Sequence, residues 1–222
     1  MICFLGDSHA PHTLAAAARA NGLRVTEEIS LASLIFVSQD TPTDEDGKRD
    51  LEPVRLLCLR ALEDSKVPIV LTSQVTPGFT RNLREPARIF HMAETLRMKD
   101  AMERARNPEQ FIVGVADPNE YILPREFMHY LYSHGPARAH VMSYEEAEFA
   151  KIAINMHLAA QVDIASKLAK AAAKVGARWK PIADVLRRDS RIGISAYLEP
   201  GRWQDSRHLL RDHVTLEAIL GR

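Results

Sequence analysis

Seven short β-branched or apolar runs, ICFLG, LRV, SLIFVS, VPIVLTS, ARIF, QFIVGV and ARAHVM, fall within the first 142 residues, between helical stretches such as HTLAAAARANG and LEPVRLLCLRALEDS. That alternation admits few architectures. A helical crossover with one apolar stripe has to cover a sheet, so the pattern predicts βαβ units and an α/β fold with a largely parallel sheet. With 222 residues, 46% hydrophobic and 26% charged, the chain is long enough for one or two compact domains and too apolar for disorder.

From Ser143 the texture turns helical. Ser143 and Glu146 have the spacing of a capping box, and no proline interrupts the chain before Gly176. About 33 residues at 1.5 Å each predict roughly 50 Å of helix. Phe149, Ile152, Ile154, Met156, Leu158, Val162, Ile164 and Leu168 do not keep to one stripe. Such a helix is expected to be buried in the fold or against a second copy, so a homodimer through residues 143–175 is predicted. The expected domains are 1–142, α/β, and 143–222, helical.

Lys+Arg and Asp+Glu balance at 29 each, and no basic block offers a surface for nucleic acid. No apolar stretch is long enough to span a membrane, and MICFLGDS does not read as a leader, so the cytoplasm is the expected location. Cys3 and Cys58 lie in apolar surroundings without metal-ligand spacing, so no metal site is expected.

Two places carry chemistry. After the first run, the turn Gly6-Asp7-Ser8-His9-Ala10-Pro11 stands where a dinucleotide fold has G-x-G-x-x-G, with Ser8 and Pro11 in place of the second and third glycines. Ser8 is expected to cap the following helix, and Pro11 to sit in its first turn. Glu27 and Glu28 follow at the spacing of an acid that bonds a ribose, while also suiting a plain surface. Lys151 and Asn155 are spaced i, i+4 and stack on one face of the long helix. Spacing alone leaves two readings: a snorkelling lysine beside a self-bonded asparagine, or a cationic donor beside a substrate.

The stretches SQDTPTDEDGKRDLEPV, TSQVTPGFTRNL, AETLRMKDAMERARNPEQFIVG and AEFAKIAINMHLAAQV, followed by PGRWQDSRHLLRD, occur in the order and character of the UDP-glucose/GDP-mannose 6-dehydrogenase family. The chain resembles that family over most of residues 33–165. The resemblance implies a Rossmann-like NAD-binding domain over 1–142, a central helical dimerisation domain over 143–222, a nucleotide-sugar substrate, and oxidation of a sugar CH–OH group by NAD. It also implies roles by position. Thr41 lies near the cofactor and a bound water, and Ser73, with Pro77 and Gly78, lies beside the dinucleotide, for which the first turn separately offers Gly6, Ser8 and Glu27. Glu94 serves acid–base steps, with Met92-Ala93 in place of Asn-Pro. Lys151 and Asn155 bind the reacting oxygen, and Asp212 closes the catalytic loop.

Several departures qualify this. The family loop runs close to P-G-x-G-x-G-G-x-C-x-x-K-D, which puts His208 at the cysteine position and Trp203, Asp205 and Ser206 at later glycines. Imidazole cannot carry the thiohemiacetal and thioester on which the second oxidation depends. His208 then reads either as a base for a single oxidation or as an ordinary loop histidine. The strand runs LRV and SLIFVS nearly abut where the family carries a further strand and helix. The chain stops at Arg222, where the family continues into a third domain that holds the nucleotide. Two functions follow: a reduced UDP-glucose 6-dehydrogenase-like oxidoreductase, impaired in the second step, or a noncatalytic dimeric binding or regulatory relative.

Overall fold

A computed structural model describes residues 1–222 as two compact units, one of Met1–Pro42 and Arg49–Lys151, the other of Thr43–Lys48 and Ile152–Arg222. The first unit is built on a seven-stranded sheet: β1 (Ile2–Leu5), β2 (Val25–Thr26), β3 (Leu34–Val37), β4 (Ile69–Leu71), β5 (Ile89–Met92), β6 (Gln110–Val115) and β7 (Arg138–Ser143). Each matches one of the seven runs. Their order is β2-β1-β3-β4-β5-β6-β7, and every pairing is parallel except β5 with β6. The architecture is therefore the expected α/β, Rossmann-like sheet.

The strands are continuous apolar runs because both faces are covered. On one face Leu34, Phe36, Val70, Phe90 and Val113 pack with Phe127, Tyr130 and Leu131 of α4 (Arg125–Ser133). On the other, Cys3, Ile35, Val37, Ile69, Leu71 and Ile89 pack with Val54, Cys58, Ala61 and Leu62 of α2 (Glu52–Asp64). Both thiols thus belong to one core. Burial raises both, Cys58 to about 12 against a weak opposing effect of Arg55, so neither supplies thiolate near neutrality.

The short link between LRV and SLIFVS has a structural result. β2 and β3 lie on opposite sides of β1, and the chain crosses between them with only a 3₁₀ turn at Ile29–Leu31. The strand order reverses beside β1, which is where open α/β sheets form a ligand crevice at the strands' carboxyl ends. Helix α1 (His9–Ala20) starts there, and α3 (Ala101–Arg106) packs Ala105 against its Leu14 and Ala17.

Helix α5 (Tyr144–Lys174) runs through the division between the units. Its capping box forms as expected: Glu146 Oε2 accepts the Ser143 N–H at 2.8 Å, and Ser143 Oγ accepts the Glu146 N–H at 3.3 Å. Its apolar residues are not all buried in a single chain. Ile152 is enclosed, but Phe149, Ile164 and Leu168 are 39%, 50% and 43% exposed. The second unit adds α6 (Trp179–Arg188) and α7 (Arg207–Ile219). There Ser166 Oγ bonds the Gly201 backbone, Gln161 Oε1 accepts the Tyr197 N–H, and Trp179 Nε1 donates to the Leu198 carbonyl. No helix of the chain is long and apolar enough to cross a membrane.

Candidate functional site

In the first unit the topology gathers the sequence-predicted residues at one edge. Gly6 follows β1, Glu27 follows β2, Thr41 follows β3, Ser73 follows β4 and Glu94 follows β5, all at the carboxyl ends of mutually parallel strands. Glu27 and Glu28 are exposed, whereas Thr41 and Ser73 are buried. The Thr41 N–H is donated to Asp40 Oδ1 at 2.9 Å. Ser73 Oγ accepts the Gln39 N–H at 2.8 Å, tying the loop after β4 to the loop after β3.

The glycine turn departs from expectation. Gly6 has φ 137°, and a Cβ built on it would stand 2.3 Å from the Ser38 carbonyl oxygen. Its missing side chain lets two strand-end loops touch. Ser8 sits at the N-cap of α1 but does not cap it. Its hydroxyl donates instead to the Ser38 carbonyl at 3.1 Å, because that oxygen is brought within reach by the same close approach. Asp7 is engaged by Gln39 Nε2 at 2.5 Å. The amino end of α1 therefore keeps N–H groups without a side-chain cap, fewer by the one that Pro11 lacks. That end and the acids after β2 suit the diphosphate and ribose of a dinucleotide, while the Asp7 charge opposes them.

A second cleft lies where β4 and β5 end against α5. Gly114 makes this contact close, since a Cβ there would meet Ala147 Cβ at 3.0 Å, His91 Cβ at 3.1 Å and Tyr144 Cα at 3.1 Å. Tyr144 fixes the helix start further by donating its hydroxyl to the Pro86 carbonyl at 2.7 Å. The resulting cleft is about 10 Å³, with Ser73, His91, Glu94, Glu148 and Lys151 among its walls. That is space for roughly one water. Burial raises the Glu94 carboxyl above the usual carboxylate range, and the Lys151 charge and the Leu96 N–H bond act against the shift. Burial pushes His91 down to about 4, so its imidazole is neutral, and its Nδ1 has no hydrogen-bond partner.

Two of these residues escape a reading by motif. His91 lies inside an apolar strand run and looks like core. Glu148 had a signal, standing three positions before Lys151 and hence on the same helical face. It is 2% exposed and holds the 78–80 turn, accepting the Gly78 N–H at 2.6 Å and the Thr80 N–H at 2.9 Å. Burial raises its pKa, and those two bonds oppose the rise. Glu148→Ala strands both donors while relieving a buried charge, so urea melts should show a net loss of about 2 kcal/mol. A loss below about 0.5 kcal/mol would mean that water replaces the carboxylate there.

In the second unit, Asn155 is buried and donates Nδ2 to Asp212 Oδ2 at 2.6 Å, with Asp212 fully enclosed. The final stretch is not one loop. Trp203–Asp205 form a 3₁₀ turn and Arg207 begins α7, so His208 and Asp212 stand one turn apart on a helix. His208 is exposed, with Nδ1 3.3 Å from the Arg211 guanidinium.

Residues 145–217 match the model of the UDP-glucose/GDP-mannose dehydrogenase family, central domain. Over that segment, about a third of its length, the chain is similar to the UDP-glucose/GDP-mannose dehydrogenase family. It is 26% identical over 186 residues to a UDP-glucose 6-dehydrogenase of Pseudomonas aeruginosa, an overlap that covers 76% of this chain and 40% of that protein. The chain thus spans about two fifths of that relative's length. Among solved structures, a UDP-glucose dehydrogenase from Pyrobaculum islandicum superposes with a TM-score of 0.77 at 21% identity, covering 99% of this chain and 64% of that one. A 3-hydroxyisobutyrate dehydrogenase of Mycobacterium tuberculosis gives 0.69 at 16% identity, covering 100% and 87%. At such identities the two superpositions speak for the fold of this chain alone.

Proposed function

We propose that the chain is an NAD-dependent oxidoreductase acting on an alcohol carbon of a nucleotide sugar, UDP-glucose in the first instance, and that it stops after one two-electron oxidation. The observation that carries this is Lys151: it lies on the helix matched by the family and lines a cleft with the buried carboxyl of Glu94. Bound nicotinamide would supply the hydride acceptor. The Lys151 ammonium stabilises the oxygen as it gains alkoxide character, an effect strengthened where water is scarce. Asn155, its carboxamide oriented by Asp212 within the second unit, is a further residue proposed to bind the sugar. The Glu94 carboxylate would take the proton that the alcohol loses as its hydride leaves, relayed by one water in the cleft beside Lys151.

The single oxidation follows from the thiols. Cys3 and Cys58 are fully buried, and the resemblance sets His208 at the family's cysteine position, so neither thiol of this chain is suited to form the thioester. Thr41, Ser73, Gly6, Ser8 and Glu27 line the cofactor edge in this reading. The 1–142 and 143–222 regions act as cofactor and dimerisation domains. The exposed Phe149, Ile164 and Leu168 favour a homodimer through α5, which Ile164→Glu should split in sedimentation equilibrium. A parent chain that sediments as a monomer would remove this part of the proposal.

One observation favours a noncatalytic binding or regulatory relative: the Ser8 and Ser73 hydroxyls are spent on internal bonds to the Ser38 carbonyl and the Gln39 N–H. Titrating NAD and NADH against the fluorescence of Trp179 and Trp203, then following NADH formation with UDP-glucose, separates the readings. Saturable binding and turnover that Lys151→Met abolishes support the enzyme. Absence of binding at millimolar cofactor supports the other.

A further inference from the structure

A cavity of the first unit lies at the opposite edge of the sheet from the residues above. It holds about 570 Å³ and opens between the starts of β1 and β3, the turn before β2, and the outer face of α4. Small-molecule sites run from roughly 300 to 1,000 Å³. Arg24, Arg125 and His129 line it against a single carboxylate, Glu126. Arg81, Arg88, Arg97 and Arg104 are each held by a carboxylate, whereas the Arg24 and Arg125 side chains make no hydrogen bond or ion pair. Two planar guanidinium forks left open in one cavity match a phosphate better than any neutral group. The remaining wall is of a different kind, with Tyr132 78% exposed and Met128 37% exposed. A bare anion would leave that wall uncovered, and a flat organic body would cover it.

We propose that this cavity binds an organic phosphate of nucleoside-monophosphate size, with the phosphate between Arg24 and Arg125 and the planar body against Tyr132 and Met128. The site lies at the amino ends of the strands, away from the crevice where a dinucleotide would enter, so it serves as a separate ligand site and does not depend on the oxidoreductase reading.

Calorimetric titration of the full chain with AMP, UMP, adenosine and inorganic phosphate tests it. At least one nucleotide should bind saturably, and more tightly than either adenosine or inorganic phosphate. The double variant Arg24→Ala/Arg125→Ala should raise its Kd by about tenfold or more, because two charge-assisted contacts are lost. Both side chains are exposed, so the variant should melt with the parent. Tyr132→Ala should weaken the nucleotide and leave inorganic phosphate unchanged. Three results would overturn the proposal: no saturable binding at millimolar nucleotide, unchanged affinity in the double variant, or inorganic phosphate binding as tightly as both nucleotides.

Discussion

Gly6→Ala should cost about 3–4 kcal/mol, combining left-handed backbone strain with overpacking. At φ 137° an L side chain is already strained, and the new methyl would stand 2.3 Å from the Ser38 carbonyl oxygen, 2.7 Å from its carbon and 3.2 Å from the Gln39 nitrogen. These are backbone atoms at the end of β3, which pairs with β1 along its whole length, so they cannot swing aside as a side chain would. Relief requires parting the two loops, which also breaks the Ser8 to Ser38 hydrogen bond. The melting midpoint should fall by about 6–16 °C. Gly22→Ala is the matched control: its φ is 83° but no atom lies within 4 Å, so only the backbone strain of about 1 kcal/mol remains. Equal losses at the two positions would show that the β1 and β3 loops do not meet as described.

Lys151→Met should lower kcat/KM for a nucleotide sugar by about a hundred- to a thousandfold, the usual effect of deleting one donor that stabilises a developing oxyanion. The same variant has a readout that needs no substrate. Burial raises the Glu94 carboxyl, and Lys151 counters that rise, so removing the ammonium moves the Glu94 pKa further up. A carboxyl with a folded pKa above its unfolded value adds stability that is complete below the unfolded pKa and is lost as pH rises through the folded one. Lys151→Met should therefore lose more stability than the parent as the pH rises above the ordinary carboxylate range. Adding Glu94→Gln should remove that extra slope. An identical pH dependence in parent and variant would separate the two side chains and remove the basis for pairing them in one cleft.

The strands were legible because burial on both faces leaves runs such as SLIFVS and QFIVGV with no polar alternation to mislead, and β-branched residues mark their length. The start of α5 was legible too, since Ser143 and Glu146 satisfy each other locally. Ser8 was not. Its cap position could be read from its neighbours, but its partner, the Ser38 carbonyl, lies thirty positions away and reaches it only because Gly6 has no side chain. The same limit applies to Glu148, whose donors at Gly78 and Thr80 are brought to it by the fold. In the final stretch the family pattern drew attention to a loop, while Ser206 followed by Leu209, Leu210 and Val214 carries the signal of the helix that forms.

The proposed Lys151-centred oxidation is expected to end at the aldehyde, since Cys3 and Cys58 both lie buried in the sheet core. The most direct measurement is the NADH formed per molecule of UDP-glucose consumed, with the product trapped as an oxime and identified by mass. One NADH per sugar, with the aldehyde as sole product, is predicted. Two NADH per sugar with a uronate product, or no NADH from cofactor-saturated protein, would contradict it.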